Sequence, residues 1–113
     1  MSEQKKRWTY DQEIAYEMAM NYINEIQGLL SRQKALFNDE DKRDVYLKRI
    51  SEFFKEESLL DGFNDAMIKD VIDTYSELII EYGEMFRRGE GIKSKELPEK
   101  FLTTKVDYAK YEK

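Results

Sequence analysis

The sequence predicts an all-α fold, a single-domain bundle of three long helices, and leaves open a short fourth C-terminal helix. The first observation is that 113 residues contain one proline and five glycines, too few breaks for a many-turned β fold. The second is that apolar residues recur at steps of three and four over three long segments. The third is a length typical of one domain, with an apolar content of 41% that supplies one core.

Helix one is predicted from about Tyr10 to Leu36. Thr9 and Gln12 have the spacing of a capping box, in which each side chain accepts a hydrogen bond from the other residue's backbone N–H. The apolar stripe that follows is wide enough for a helix that contacts two neighbouring helices. Any part of the stripe that the bundle core leaves uncovered could form a homodimer interface. Its face comprises Ala15, Met18, Tyr22, Ile26, Leu29 and Phe37, and its flank comprises Tyr16, Met20, Ile23 and Leu30.

Helix two is predicted from about Lys42 to Glu57, after an acidic link in which Asp39 and Asp41 are both candidate N-caps. We expect its inward side to be apolar and its outward side to be charged. The inward set is Tyr46, Leu47, Ile50, Phe53 and Phe54, and the outward set is Lys48, Arg49, Glu52 and Lys55.

Helix three is predicted to begin at Asn64 or Asp65 and to end before Gly89, a residue type that favours helix C-terminal caps. It is the most regular segment, with an apolar stripe about 120° wide. The stripe comprises Ile68, Val71, Ile72, Tyr75, Leu78, Ile79, Tyr82 and Phe86. After it, Pro98 could open a short last helix that packs back through Phe101, Leu102, Val106 and Ala109.

Charge divides the chain into three parts, although the net charge of the whole is −5. We expect residues 1–8 to be a flexible basic N-terminus and residues 9–89 to be an acidic helical bundle. Residues 90–113 form a basic segment that is either a short helix or partly disordered. The formal charges are +2 over residues 1–7, −10 over residues 8–86 and +3 over residues 87–113.

Composition excludes several kinds of chemistry. The chain has no cysteine and no histidine, so it holds no disulfide, no thiolate or imidazole metal site and no Cys–His or Ser–His nucleophile pair. We identify no catalytic residue, no metal site and no cofactor site. No apolar run approaches the roughly 18 residues of a membrane span, and the opening MSEQKKRWTY lacks the apolar stretch of a signal peptide. A cytoplasmic protein is therefore expected.

An acidic stripe on helix three is the feature that bears most on function. It consists of Asp70, Asp73, Glu77, Glu81 and Glu84, which lie almost opposite the apolar stripe and so must face solvent or a partner. Like charges at these spacings destabilise a helix by about 0.2–0.5 kcal/mol per pair. Either the repulsion is tolerated because the face keeps the protein soluble, or the face is shaped for something basic.

A carboxylate–magnesium nucleotide pyrophosphohydrolase of the all-α type is one alternative. Such enzymes place acidic pairs on two adjacent helices that face each other across a bundle. The pairs Asp70/Asp73 and Glu81/Glu84 have the right spacing for Mg²⁺, but they lie on one helix and point away from its apolar stripe.

The favoured hypothesis is a small, non-catalytic protein that binds a macromolecular partner through the acidic stripe. Antitoxins, immunity proteins and other inhibitors of basic, nucleic-acid-acting proteins share this size and composition. The alternative of a homodimeric assembly module joined through helix one stays open. Direct nucleic-acid binding is disfavoured because the acidic body repels phosphate. Trp8, Tyr10 and Tyr16 form either an aromatic patch for a partner or, in the case of Trp8, a packing anchor.

Overall fold

The computed structural model describes residues 7–90 and 96–112 and confirms the all-α bundle. Three long helices are followed by a single helical turn and a 3₁₀ turn. They are α1 (Tyr10–Lys34), α2 (Glu40–Glu57), α3 (Asp65–Arg87), α4 (Lys100–Thr103) and η1 (Tyr108–Tyr111). The N-terminus predicted to be flexible lies, up to residue 6, outside the described residues.

Side-chain caps fix where the long helices begin. Thr9 and Gln12 form the predicted capping box, with N···O distances of 2.9 and 3.1 Å. Asp39 caps α2, which therefore begins two residues earlier than expected, and Asn64 caps α3 by accepting a bond from the Met67 N–H. Gly89 follows α3 with φ 79°, the left-handed conformation that glycine adopts at helix ends.

The helices run up, down and up, with α1 packed against both α2 and α3. Contacts at both ends show that α1 and α3 are parallel. At the N-terminal end, the Gln12 amide donates to Asp65, and at the C-terminal end the Tyr82 hydroxyl donates to Gln33. The C-terminal segment, which we define as residues 96–112, contacts both α2 and α3.

This C-terminal segment takes the place of a fourth helix. It runs antiparallel to α3: the Val106 N–H donates to the Tyr75 hydroxyl, and further along the Tyr111 hydroxyl donates to Asp70. Leu97, Phe101, Val106 and Tyr108 are all buried in the core. Packing of the segment through Phe101 and Val106 agrees with the sequence prediction, whereas Ala109 is exposed.

The core faces of α1 and α2 are rotated from those predicted. On α1, Met18 of the predicted face is 40% exposed. The fully buried residues are Ile26 and Leu29 of that face, Ile23 and Leu30 of its flank, and Ala19, which the sequence assigned to neither. On α2, Leu47 and Phe54 are 47% and 68% exposed, while Arg49 is only 2% exposed. The predicted outward orientation of Arg49 is wrong because its charge is paired inside the protein with Glu56.

Trp8 packs against the loop that precedes α3. Its ring centroid lies 4.6 Å from that of Tyr16 and 5.9 Å from that of Phe63. A Cβ atom on Gly62 would lie 2.4 Å from the indole ring, closer than any tolerated contact. The indole therefore rests directly on the glycine backbone, as expected of a packing anchor.

Gly62→Ala is expected to push the indole off this loop. Because Trp8 is the only tryptophan, the change is visible as a red shift of the intrinsic fluorescence of the native protein. Gly83→Ala is the matched control, since a Cβ there meets nothing within 4 Å. That variant should keep the native emission and gain about 0.5–1 kcal/mol from improved helix propensity. An unshifted Gly62→Ala spectrum would contradict the described packing.

Candidate interaction surface on α3

The structure divides the predicted acidic stripe into two sets. Asp73, Glu77 and Glu84 are exposed, and we call them the outer acidic face. Asp70 and Glu81 are half-buried and contact the C-terminal segment. The expectation that all five face solvent or a partner therefore holds only for the outer acidic face. The other two turn toward the groove between α3 and the C-terminal segment.

An exposed apolar side chain lies within the outer acidic face. Ile80 is 61% exposed and stands three residues after Glu77 and four before Glu84, so it shares their side of the helix. The sequence pattern did not predict this exposure, because Ile80 belongs neither to the apolar stripe nor to the acidic stripe of the helix. The available signal was a large apolar residue among carboxylates on the polar side of a regular helix.

The outer acidic face is only partly neutralised. Lys69 pairs with Asp73 at 2.6 Å, and this contact raises the pKa of the lysine. Glu77 and Glu84 have no ion-pair partner within 4.0 Å in the described part of the chain. Exposed pairs such as Lys69–Asp73 are worth about 0–1 kcal/mol, so the lysine is easily displaced by a competing cation.

Asp70 is held by three donors. The Tyr111 hydroxyl lies 2.8 Å from it, the Thr74 hydroxyl 3.1 Å and the Lys110 ammonium 3.4 Å. Burial alone would raise the pKa of Asp70, but the hydrogen bonds from Tyr111, Thr74 and Lys110 outweigh it and hold the pKa below its ordinary value. Asp70 is therefore ionised near neutral pH, with its charge met inside the protein.

Glu81 lies in a depression between α3 and the C-terminal segment. Its Oε1 atom accepts a bond from the Lys100 ammonium, whereas Oε2 is buried and has no hydrogen-bond partner among the described residues. The depression has a volume of about 390 Å³. Its lining residues are Asp73, Thr74, Glu77, Leu78, Glu81, Lys100 and Thr104.

A second polar cluster, centred on Arg49, is buried between α2, α3 and the C-terminal segment. Its guanidinium donates to Glu56 at 3.0 Å and to the Thr104 carbonyl at 2.9 Å. Glu56 also accepts bonds from the hydroxyls of Tyr75 at 2.6 Å and Tyr108 at 2.8 Å. These bonds link α2, α3 and the C-terminal segment, so the cluster joins three parts of the fold.

The two tyrosines of this cluster stay protonated. Burial is the first cause of the raised pKa of both Tyr75 and Tyr108, and the adjacent negative charge of Glu56 adds to it. A protonated hydroxyl can donate to the carboxylate, which compensates part of the cost of burying that charge. The sequence signal for the cluster was the spacing of Tyr46, Arg49, Phe53 and Glu56, whose steps of three, four and three place them on one face.

The predicted acidic pair Asp70/Asp73 does not converge on one site. Asp70 accepts a bond from the Tyr111 hydroxyl, whereas Asp73 accepts a bond from the Lys69 ammonium. Across residues 7–90 and 96–112, no group of three or more acidic side chains is arranged to hold a metal ion.

Comparisons of the chain with known protein families, curated proteins and solved structures find no match. Among the described helices, none combines the length and the apolar character needed to cross a membrane. The surface chemistry of the described residues is therefore what bears on function.

Proposed function

We propose that the protein is a non-catalytic cytoplasmic inhibitor that binds a basic macromolecular partner through the outer acidic face. One observation carries the proposal: Asp73, Glu77 and Glu84 are exposed around Ile80, itself 61% exposed. An apolar centre with a polar, solvent-accessible rim is the usual anatomy of a protein interface. The favoured partner is a protein whose own basic surface contacts nucleic acid.

The carboxylates and the isoleucine have different roles in this proposal. Clustered like charges raise the association rate with a cationic surface and fix its orientation. Their effect weakens with salt, because the Debye length falls from about 10 Å at 0.1 M to about 3 Å at 1 M. Burial of Ile80 adds an apolar contribution that salt leaves in place, so a residual affinity should survive at high ionic strength.

Charge reversal is the direct test. Asp73→Lys, Glu77→Lys, Glu84→Lys is compared with Glu17→Lys, Glu25→Lys, Asp44→Lys, which makes the same change in net charge at exposed sites on α1 and α2. Both variants and the native protein are immobilised for capture from the native host, and the retained protein is then purified and titrated in solution. We expect a basic protein that binds the native chain and the control, dissociates with salt, and binds the α3 variant at least tenfold more weakly.

Two results would contradict the proposal. Equal losses in both variants would show a dependence on net charge and not on this face. Unchanged binding in the α3 variant would show that the contact lies elsewhere. Far-UV circular dichroism of each variant distinguishes a loss of binding from a failure to fold.

A homodimeric assembly module is a second candidate, favoured by an apolar row on α1. Tyr10, Ile14 and Met18 are exposed at four-residue steps and so lie along one side of the helix. Ile26, which the sequence placed on the same face as Met18, is fully buried and cannot belong to a seam. A doubled mass in solution that Met18→Asp abolishes would favour this function, whereas a monomer at all concentrations would exclude it.

A further inference from the structure

The C-terminal segment carries its own cations to the acidic stripe. The Lys100 ammonium bonds Glu81, and the Lys110 ammonium lies 3.4 Å from Asp70. Asp70 and Glu81 are the two members of the acidic stripe that do not belong to the outer acidic face. The depression beside Lys100 is also lined by Asp73 and Glu77, so Glu81 shares one surface with two carboxylates of the outer acidic face.

We propose that Lys100 and Lys110 act as internal competitors that mask Glu81 and Asp70 from a cationic partner. The inference rests on the proposed function, because it concerns the regulation of the same surface. A partner that displaces both ammonium groups adds Glu81 and Asp70 to the three outer carboxylates, and the hydroxyls of Tyr111 and Thr74 keep their bonds to Asp70. The two lysines therefore set a threshold that weakly cationic surfaces do not pass.

The two side chains can leave without undocking the segment. Their exposed fractions are 52% and 55%, and ion pairs at such exposure are weak. The segment is held by other contacts, namely the fully buried Phe101 ring and the bond from Arg49 to the Thr104 carbonyl. Displacement of the lysines is thus a side-chain movement on a fixed backbone.

The geometry at Glu81 favours a guanidinium as the displacing group. Lys100 satisfies one carboxylate oxygen and leaves Oε2 without a hydrogen-bond partner among the described residues. A guanidinium presents two parallel N–H donors that match both oxygens of a carboxylate. An arginine of the partner that displaces Lys100 from Oε1 would bond Oε2 as well once the carboxylate turns that buried oxygen toward the surface.

The test uses the full chain and an octa-arginine peptide as the probe. Lys100→Gln, Lys110→Gln is compared with Lys48→Gln, Lys55→Gln, two exposed α2 lysines with no ion-pair partner within 4.0 Å among the described residues. Dissociation constants come from calorimetric titration. We expect the C-terminal variant to bind octa-arginine about three- to tenfold more tightly than the control, from the loss of two exposed pairs.

Carboxyl ¹³C shifts locate the effect. In the C-terminal variant, the signals of Asp70 and Glu81 should move at lower peptide concentration than in the native protein. Equal affinities of the two variants for octa-arginine, with the Asp70 and Glu81 signals moving at the same peptide concentration in both, would overturn the masking inference alone. Absence of octa-arginine binding to every variant would instead count against the proposed function of the acidic face.

Discussion

Arg49→Met is expected to lower the free energy of unfolding by about 3–5 kcal/mol, because removal of one member of a buried ion pair leaves the other charge unpaired. The guanidinium is 2% exposed and bonds Glu56 and the Thr104 carbonyl. Its central carbon also lies 3.6 Å from the centroid of the Phe53 ring, so methionine preserves some packing while the hydrogen bonds are lost. Urea unfolding followed by circular dichroism measures the change.

The neighbouring lysine provides the control. Lys48→Met changes the same charge one residue away, at an exposed position, and should stay within about 0.5 kcal/mol of the native stability. Arg49→Met, Glu56→Gln should recover part of the loss, because a neutral amide still accepts the tyrosine hydroxyls and no longer leaves a buried charge. Similar stabilities for Arg49→Met and Lys48→Met would contradict the described cluster.

Arg49 also shows what sequence patterns can and cannot predict. The positions of the three long helices followed from local signals, because caps and apolar periodicity act within a few residues. The orientation of α2 did not follow from them, because the pattern predicts apolar residues inward and charged residues such as Arg49 outward. The groups that make its burial tolerable include Thr104, which is 55 residues away, and no local pattern contains that information.

The acidic stripe was predicted in part for the same reason. Helical spacing correctly placed Asp73, Glu77 and Glu84 on an exposed side of α3. It could not show that Asp70 and Glu81 meet Lys110 and Lys100, because those pairs depend on where the C-terminal segment lies. Pairings distant in sequence thus decide which members of a regular stripe stay available to a partner.

The C-terminal segment was the hardest part to predict, since its order comes from contacts with α2 and α3. Within residues 96–112, only four residues form an α-helical turn and four form a 3₁₀ turn. Side chains from the long helices bond its backbone instead: the Tyr46 hydroxyl accepts from the Leu97 N–H at 2.8 Å, and Arg49 donates to Thr104. A short isolated helix is marginal in water, so the groove supplies the stability that the segment lacks.

Phe101→Ala tests this dependence and is expected to destabilise the protein by about 3 kcal/mol, the lower end of the range for phenylalanine in a core. The ring is fully buried, but the segment can undock locally, and local undocking limits the loss to the free energy of its docking. Hydrogen exchange should therefore rise first at the Leu97 and Val106 amides, which bond tyrosine hydroxyls of α2 and α3. Phe54→Ala removes the same ring from a site that is 68% exposed and should cost less than about 1 kcal/mol. Equal and small losses in both variants would show that the C-terminal segment is not part of the core, and the masking of Asp70 and Glu81 would then lose its structural basis.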